Sequence, residues 1–202
     1  MTAPRLKTCA LAPLVALLAL PAVAHAYGPG DPDPSFGRHG VATAAAVQGA
    51  RSSSSAVAVD SRGRVVVAAT VRIGAPWAGA PQEMQIRVAR FLPGGGRDRS
   101  FGRRGVAALA LGRHGTAAWA VDVTRDDDVV VAGSTAYRTY SAYDTIAPDG
   151  DFLLARFDES GRLAWSRTRD DGPGGYAAAV AVDRGDRIVV GGSGGVDELL
   201  VS

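Results

Sequence analysis

The chain has 202 residues, 22 lysines and arginines against 20 aspartates and glutamates, and a formal net charge of +2. Lys7 is the only lysine, and the remaining bases are arginines scattered among aspartates, which excludes the one-sided basic stripe that nucleic acid requires. Cys9 is the only cysteine, so beyond the N-terminus the chain offers neither a disulfide nor a thiolate and must be held by its core.

The first 26 residues, MTAPRLKTCALAPLVALLALPAVAHA, read as a cleaved secretory signal. Arg5 and Lys7 form its positive region, Ala10 to Ala24 its apolar region, and Ala24-His25-Ala26 a small-x-small cleavage site, so cleavage is expected between Ala26 and Tyr27. The apolar run is shorter than the ~20 residues that span a bilayer. Cys9 lies ahead of that run rather than after it, which argues against a lipid anchor. Removing Arg5 and Lys7 brings bases and acids into balance, and the basic excess disappears. The expected location is secreted or extracytoplasmic, in the periplasm or outside the cell, with no membrane attachment after cleavage. Residues 27–202 are enough for one domain with a sizeable core. The Ala, Gly, Val, Arg and Asp bias is that of a high-GC bacterial genome.

Along the remaining chain, internal similarity comes before any single element, because a period of tens of residues fixes the fold class. VAVDSRGRVVVAAT (Val57 to Thr70), VDVTRDDDVVVAGS (Val121 to Ser134) and VAVDRGDRIVVGGS (Val180 to Ser193) align at offsets of 64 and 59. RVARFLPGGG (Arg87 to Gly96) and LLARFDESGR (Leu153 to Arg162) align at 66. DPSFGRHGV (Asp33 to Val41) returns as DRSFGRRGV (Asp98 to Val106). The unit is about sixty residues, with boundaries near 48–111, 112–168 and 169–202. Residues 33–47 precede the first unit as an orphan strand.

Each unit predicts four short strands. In the first, Ser55 to Asp60 and Val65-Val66-Val67 form a hairpin across Ser61-Arg62-Gly63. Met84 to Leu92 is the third strand, stopped by Pro93 and three glycines, and Gly105 to Leu111 is the fourth. The alanine-rich Val41 to Val47 fills the same slot as Gly105 to Leu111 and is assigned to strand rather than helix. Apolar triplets such as Val129-Val130-Val131 and Ile188-Val189-Val190 predict strands buried on both faces. Four-stranded sheets stacked face to face, one per repeat, bury both faces in that way, and their radial stacking is the β-propeller.

The acid-turn hairpin with its apolar return, together with VARFLPGGGRDRSFGRRG, resembles the delta-sixty repeat family of bacterial β-propellers, a domain of unknown function. The resemblance covers most of the chain after residue 26. It implies a repeat-built scaffold in exported proteins, with no activity attached to named positions. Two departures stand out: LLARFDESGRLAWSRT reaches Trp165 where Ser-Phe-Gly is expected, and Arg125-Asp126-Asp127-Asp128 lacks the turn glycine. The fold expected is all-β, an incomplete propeller-like stack of about three four-stranded blades. Asp197 to Ser202 matches DFLLAR at Asp151, and the orphan Asp33 to Val47 supplies a fourth strand without the other three. Together they read as a truncated gene product or a fragment.

Chemistry is sparse. His39 and His114 both stand in Gly-Arg-His-Gly and read as turn residues, too few and too far apart for a zinc site. Calcium is the better metal candidate, at Asp31-Pro32-Asp33-Pro34-Ser35, although Phe36 and Ala42 stand where an EF-hand loop needs Gly and a bidentate acid. Asp126 to Asp128 and Asp170-Asp171 read as solvated turns. Gly94-Gly95-Gly96 and Gly172-Pro173-Gly174-Gly175 lead into strands, so they are turns and not phosphate loops. Ser52 to Ser55 and Ala75 to Pro81 read as loop insertions, the latter displaying Trp77 for a sugar or peptide contact. Trp119 and Trp165 are expected in the core, and Arg90 and Arg156 in blade-stabilising ion pairs. No catalytic residue and no cofactor is assigned. The expected function is a secreted, non-catalytic scaffold or interaction module with a protein or glycan partner at its loops. The alternative is a fragment of a propeller enzyme, a hydrolase or lyase acting on glycans, whose catalytic blades are missing.

Overall fold

The structure is a computed structural model describing residues 28, 30–44, 51–74, 83–111, 115–135, 137–140, 145–148, 150–170, 175–194 and 200–201. The expected cleavage site at Ala26 and Tyr27, His114, Trp77 and the loop 75–81 lie outside them. Two compact units divide the chain at Asp31. In the first, the Gly28 N–H donates to Asp31 Oδ2 (2.8 Å) and the Asp31 N–H returns a bond to Gly28 O (3.0 Å), closing a small turn.

The second unit is all-β among its described residues, and every strand ladder is antiparallel. β1 (Arg51–Val59), β2 (Val65–Ile73), β3 (Glu83–Phe91) and β4 (Val106–Leu109) make a four-stranded sheet in chain order. β5 (Thr116–Val123) and β6 (Val129–Thr135) open the next sheet. A separate hairpin, β7 (Tyr137–Tyr140) with β8 (Thr145–Pro148), interrupts it. The sheet is then completed by β9 (Phe152–Phe157) and β10 (Leu163–Arg169), in the order β5, β6, β9, β10. β11 (Tyr176–Val182), β12 (Ile188–Ser193) and β13 (Leu200–Val201) form a third, three-stranded sheet. The all-β character is as expected, and the three sheets draw their strands from residues 51–109, 116–169 and 176–201; the extra hairpin was not anticipated.

The apolar triplets explain the stacking. Val129 and Val131 of β6 pack on Val66, Ala68, Ile86 and Val88 of the first sheet, while Val130 and Ala132 on the opposite face pack on Ala177, Ile188 and Val190 of the third. Every residue of β6 is buried. Period-two alternation directs successive side chains to opposite faces, so a run of β-branched residues is stable only with a sheet on each side.

Each hairpin turn between the first two strands of a sheet makes the same bonds. The N–H groups of Asp60, Thr124 and Asp183 donate to Arg64 O, Asp128 O and Arg187 O at 2.9–3.0 Å. The left-handed position is Gly63 (φ 72°) in the first turn but Asp127 (φ 64°) and Asp186 (φ 59°) in the others. The missing glycine is explained by what the aspartates do. The Ser61 N–H donates to Asp127 Oδ1 (2.9 Å) and the Arg125 N–H to Asp186 Oδ1 (3.0 Å), so each turn carboxylate binds the turn of the preceding sheet. Asp tolerates the left-handed region better than most residues, and these charge-assisted bonds offset the strain.

The twice-written Ser-Phe-Gly stretch has one geometry in both copies. Ser35 and Ser100 each donate backbone and hydroxyl bonds to the aspartate two residues earlier, at 2.6–3.0 Å. His39 and Arg104, at the aligned position, share φ of 56°. The Gly37 N–H donates to Gly94 O (2.9 Å), and the Gly102 N–H donates to Ser160 O (2.7 Å). The segment is therefore a seat that receives the turn after the third strand of the next sheet. Added Cβ atoms at Gly95 and Gly161 would collide with the backbone of Gly37 and Gly102, so close approach requires glycine on the incoming turn.

Two expectations are corrected. Residues 33–41 form the turn seat rather than strand, and 42–44 carry no ladder, since no third strand of the same sheet lies beside them among the described residues. Ser52 to Ser55 belong to β1 rather than a loop insertion, with an irregularity in register between Ser54 and Ala56.

Candidate functional site

At one end of the stacked sheets, the turns gather charge. Arg64 opens the return strand β2 and is buried beside Asp60 (2.6 Å), Asp127 (3.1 Å), Glu159 (3.5 Å) and Asp98 (3.8 Å). The exposed Arg62 reaches Asp127 (3.3 Å) and Glu159 from outside. Arg90, 1% exposed, donates from Nε to Asp98 Oδ2 (2.8 Å), and its guanidinium carbon lies 4.5 Å from the Phe101 ring centroid. Nη1 of Arg90 has no hydrogen-bond partner; the ring face offsets part of the cost of burying that charge.

Arg156, the repeat partner of Arg90, pairs instead with Asp128 (2.8 Å). The reason is a local deletion. β10 runs directly along β9, pairing Trp165 with Arg156 and Ser166 with Ala155, whereas β4 rejoins β3 at Ala89 only after the Asp98–Gly105 excursion. The second unit thus lacks the loop that carries Asp98, and its acid comes from Asp128, at the position where the first unit has Arg64. Both arginines make the expected ion pairs, with acids from different parts of the repeat.

Asp127 is 3% exposed and bridges two sheets, which corrects its reading as a solvated turn residue; burial of a carboxylate requires such partners. Its acidity follows: burial pulls the value up, but bonds from Ser61 and the charges of Arg64 and Arg62 prevail and hold it below the ordinary 3.8. Asp98 is also lowered, burial again being opposed by Ser100 and Arg90. Asp158, lowered first by the Ser160 hydroxyl and then by the Arg162 amide, follows the same direction, as do Asp33 through Ser35 and Asp183 through Arg187. Arg64 is raised: burial opposes its charge, and Asp60, Asp127 and Glu159 overcome it.

An open cleft of about 490 Å³ beside this network is lined by Arg90, Ser100, Asp126, Asp128, Asp158, Glu159 and Ser160. Asp128 is held by Arg156, Asp158 by Ser160 and Arg162, and Glu159 by Arg62. These depressed folded-state values give a sign for pH. Stability from Asp98 and Asp127 is fully present above the unfolded value of 3.8 and is lost as pH falls below it toward their lower folded values. Urea midpoints are therefore expected to hold steady from pH 7 to about 5 and to fall steeply below about 4. A midpoint falling already between pH 7 and 6 would contradict this assignment.

At the opposite end, a cavity of about 270 Å³ between the first two sheets is lined by Arg51, Ser52, Ser53, Ser55, Thr70, Arg72, Met84, Ala117, Ala118 and Trp119. Trp119 is 38% exposed, which corrects its expected core position. It occupies the register irregularity between Ala118 and Ala120, and this turns its ring toward Tyr176 (centroids 5.7 Å) and its Nε1 toward Ser134 Oγ (3.4 Å). Trp165 is half-buried against the second core, beneath Arg167. No sequence signal separates the two, because a bulge is set by backbone pairing.

Of the other candidates, His39 is an exposed turn residue, and Asp31 and Asp33 accept bonds from Gly28 and Ser35. Gly94-Gly95-Gly96 form a turn closed by the Leu92 N–H on Gly96 O (2.7 Å), and Asp170 is exposed at the end of β10. Asp171 and Gly172 to Gly174 lie outside the described residues. No group of three or more His, Cys, Asp or Glu side chains with metal-holding geometry occurs among the described residues. No family model and no curated protein matches the chain.

Proposed function

We propose that the chain is an exported protein of the delta-sixty propeller kind, whose sheets are blades and whose role is that of a non-catalytic interaction scaffold. The observation that carries this reading is how the carboxylates are committed: Asp98 to Arg90 and Ser100, Asp127 to Ser61, Arg64 and Arg62, and Asp158 to Ser160 and Arg162. A general acid working near neutral pH needs a raised value, and a glycosidase needs two facing carboxyls in opposite protonation states. Asp98, Asp127 and Asp158 are all lowered and committed to arginines, hydroxyls and amides. That supports a structural network over a glycan-cleaving centre. Export rests on the leader sequence MTAPRLKTCALAPLVALLALPAVAHA.

Partner contact fits the Trp119 cavity best. An aromatic face with arginines and serine hydroxyls around it offers stacking and several hydrogen bonds, which suits a polyhydroxylated ligand such as a glycan. Titration with soluble oligosaccharides, followed by tryptophan fluorescence and by reducing-end release, tests both halves. Saturable quenching that Trp119→Ala abolishes, without release of reducing ends, is the expected result. Release of reducing ends that Asp158→Asn or Glu159→Gln abolishes would overturn the non-catalytic reading.

A further inference from the structure

The first sheet opens on a pairing that strand energetics disfavour. Arg51 of β1 stands directly opposite Arg72 of β2, and two residues further along Ser53 stands opposite Thr70. Alternation along a strand puts these four side chains on one face. Like charges directly opposite one another on neighbouring strands destabilise a sheet, and a guanidinium stays protonated, so neither arginine sheds its charge. The repeat does not require the pair. At the offsets of 64 and 59, the aligned residues are Gly115 and Ala136 in the second unit and Gly174 and Gly195 in the third.

The face that carries the pair is the one toward the second sheet, where the Ala118 N–H donates to Thr70 Oγ1 (3.0 Å). Arg51, Ser53, Thr70 and Arg72 all line the cavity of about 270 Å³ that Trp119 shares. Two further groups reach it through a repeated backbone device. β1, β5 and β11 each carry a register irregularity at the aligned position, which is Ser55, Trp119 and Ala178 in turn. The irregularity recurs while its side chain changes, and Ser55 and Trp119 bring a hydroxyl and an indole to this cavity. No Asp or Glu lines it among the described residues. Glu83, on the neighbouring strand, pairs with Ile73 and stands on the opposite face. The cleft at the other end of the sheets is instead lined by Asp126, Asp128, Asp158 and Glu159. The two ends therefore differ in the sign of their charge.

We propose that the Trp119 cavity takes an acidic glycan, its carboxylate or sulfate ester shared by Arg51 and Arg72 and its ring laid on the indole. This rests on the reading of the cavity as a glycan contact and adds the charge of the ligand. An oxyanion between the two guanidiniums offsets their repulsion, and the planar fork of arginine matches the oxygens it presents. The hydroxyls of Ser53, Ser55 and Thr70 supply donors and acceptors for the ring hydroxyls, and the indole covers the apolar face of the sugar.

Three tetrasaccharides, titrated into the purified protein at low salt and followed by tryptophan fluorescence, separate the outcomes. Cellotetraose is neutral, tetragalacturonate carries carboxylates, and a κ-carrageenan tetramer carries sulfate esters alone. At least one acidic tetramer is expected to bind about tenfold or more tighter than cellotetraose, and which one does so names the anion. Arg51→Gln is expected to remove that advantage, as is Arg72→Gln, and raising the salt to about 1 M is expected to shrink it. Arg51 is exposed and its loss leaves one of two like charges, so the urea midpoint of Arg51→Gln is expected not to fall. Equal affinity for all three tetramers, with quenching lost in Trp119→Ala, would leave the glycan reading standing and overturn the acidic ligand. A preference for acidic tetramers that survives both arginine substitutions would overturn it as well. Binding of none of the three would overturn both readings.

Discussion

Replacing Arg64 with alanine is expected to cost about 3–5 kcal/mol of folding stability, the scale for removing one partner of a buried charge network. The guanidinium is the shared counter-ion of Asp60, Asp127 and Asp98, three buried carboxylates from two successive sheets. Removing it leaves like charges close together in a poorly solvated site, which is worse than an absent pair. Arg62→Ala is the internal control. It touches Asp127 and Glu159 from the exposed side, and an exposed pair contributes about 0–1 kcal/mol. Urea unfolding at pH 7 separates them, and the Arg64 deficit is expected to shrink below about pH 4 as the orphaned carboxylates take up protons. Equal effects for the two variants would mean that Arg64 is solvated.

Phe101→Ala is expected to cost a further about 3–5 kcal/mol, as for a large aromatic removed from a packed core. Phe101 is fully buried between the first two sheets among Val66, Ile86, Val129 and Phe157, and it faces the Arg90 guanidinium. Its loss opens a cavity and also removes the ring that offsets the burial of Arg90. Phe36, in the other copy of the same motif, is only half-buried. Phe36→Ala is therefore expected to cost less than half as much in a single chain. The two midpoints in urea, measured at constant slope, give the comparison, and equal losses would show that the two copies are equally packed.

Much of the sheet plan was legible because two periods coincide. The sixty-residue repeat marks the sheets, and the valine triplets mark strands buried on both faces. The ion pairs of Arg90 and Arg156 were legible from recurrence, but their acids were not, because the deletion of the Asp98–Gly105 loop in the second unit moves the carboxylate to another strand. Asp127 was misread for a related reason. An aspartate run looks like a solvated turn until the neighbouring turn, 66 residues earlier, is seen to place an amide against it. Trp119 and Ser52–Ser55 depended on register irregularities in β5 and β1, which carry no compositional mark. The hairpin of β7 and β8 falls in the part of the repeat where unit lengths differ.

The central claim is that the repeated Ser-Phe-Gly segment and the turn carboxylates are intersheet fasteners rather than parts of a ligand site. Residue-resolved amide exchange tests it most directly, since the Gly102 N–H is bonded to Ser160 O (2.7 Å) and the Ser61 N–H to Asp127 Oδ1 (2.9 Å), both across a sheet boundary. Both amides are expected to exchange far more slowly than an open chain, with Gly102 losing its protection in Phe101→Ala and Ser61 in Asp127→Ala. Exchange at open-chain rates for both, while the β6 amides remain protected, would contradict the account.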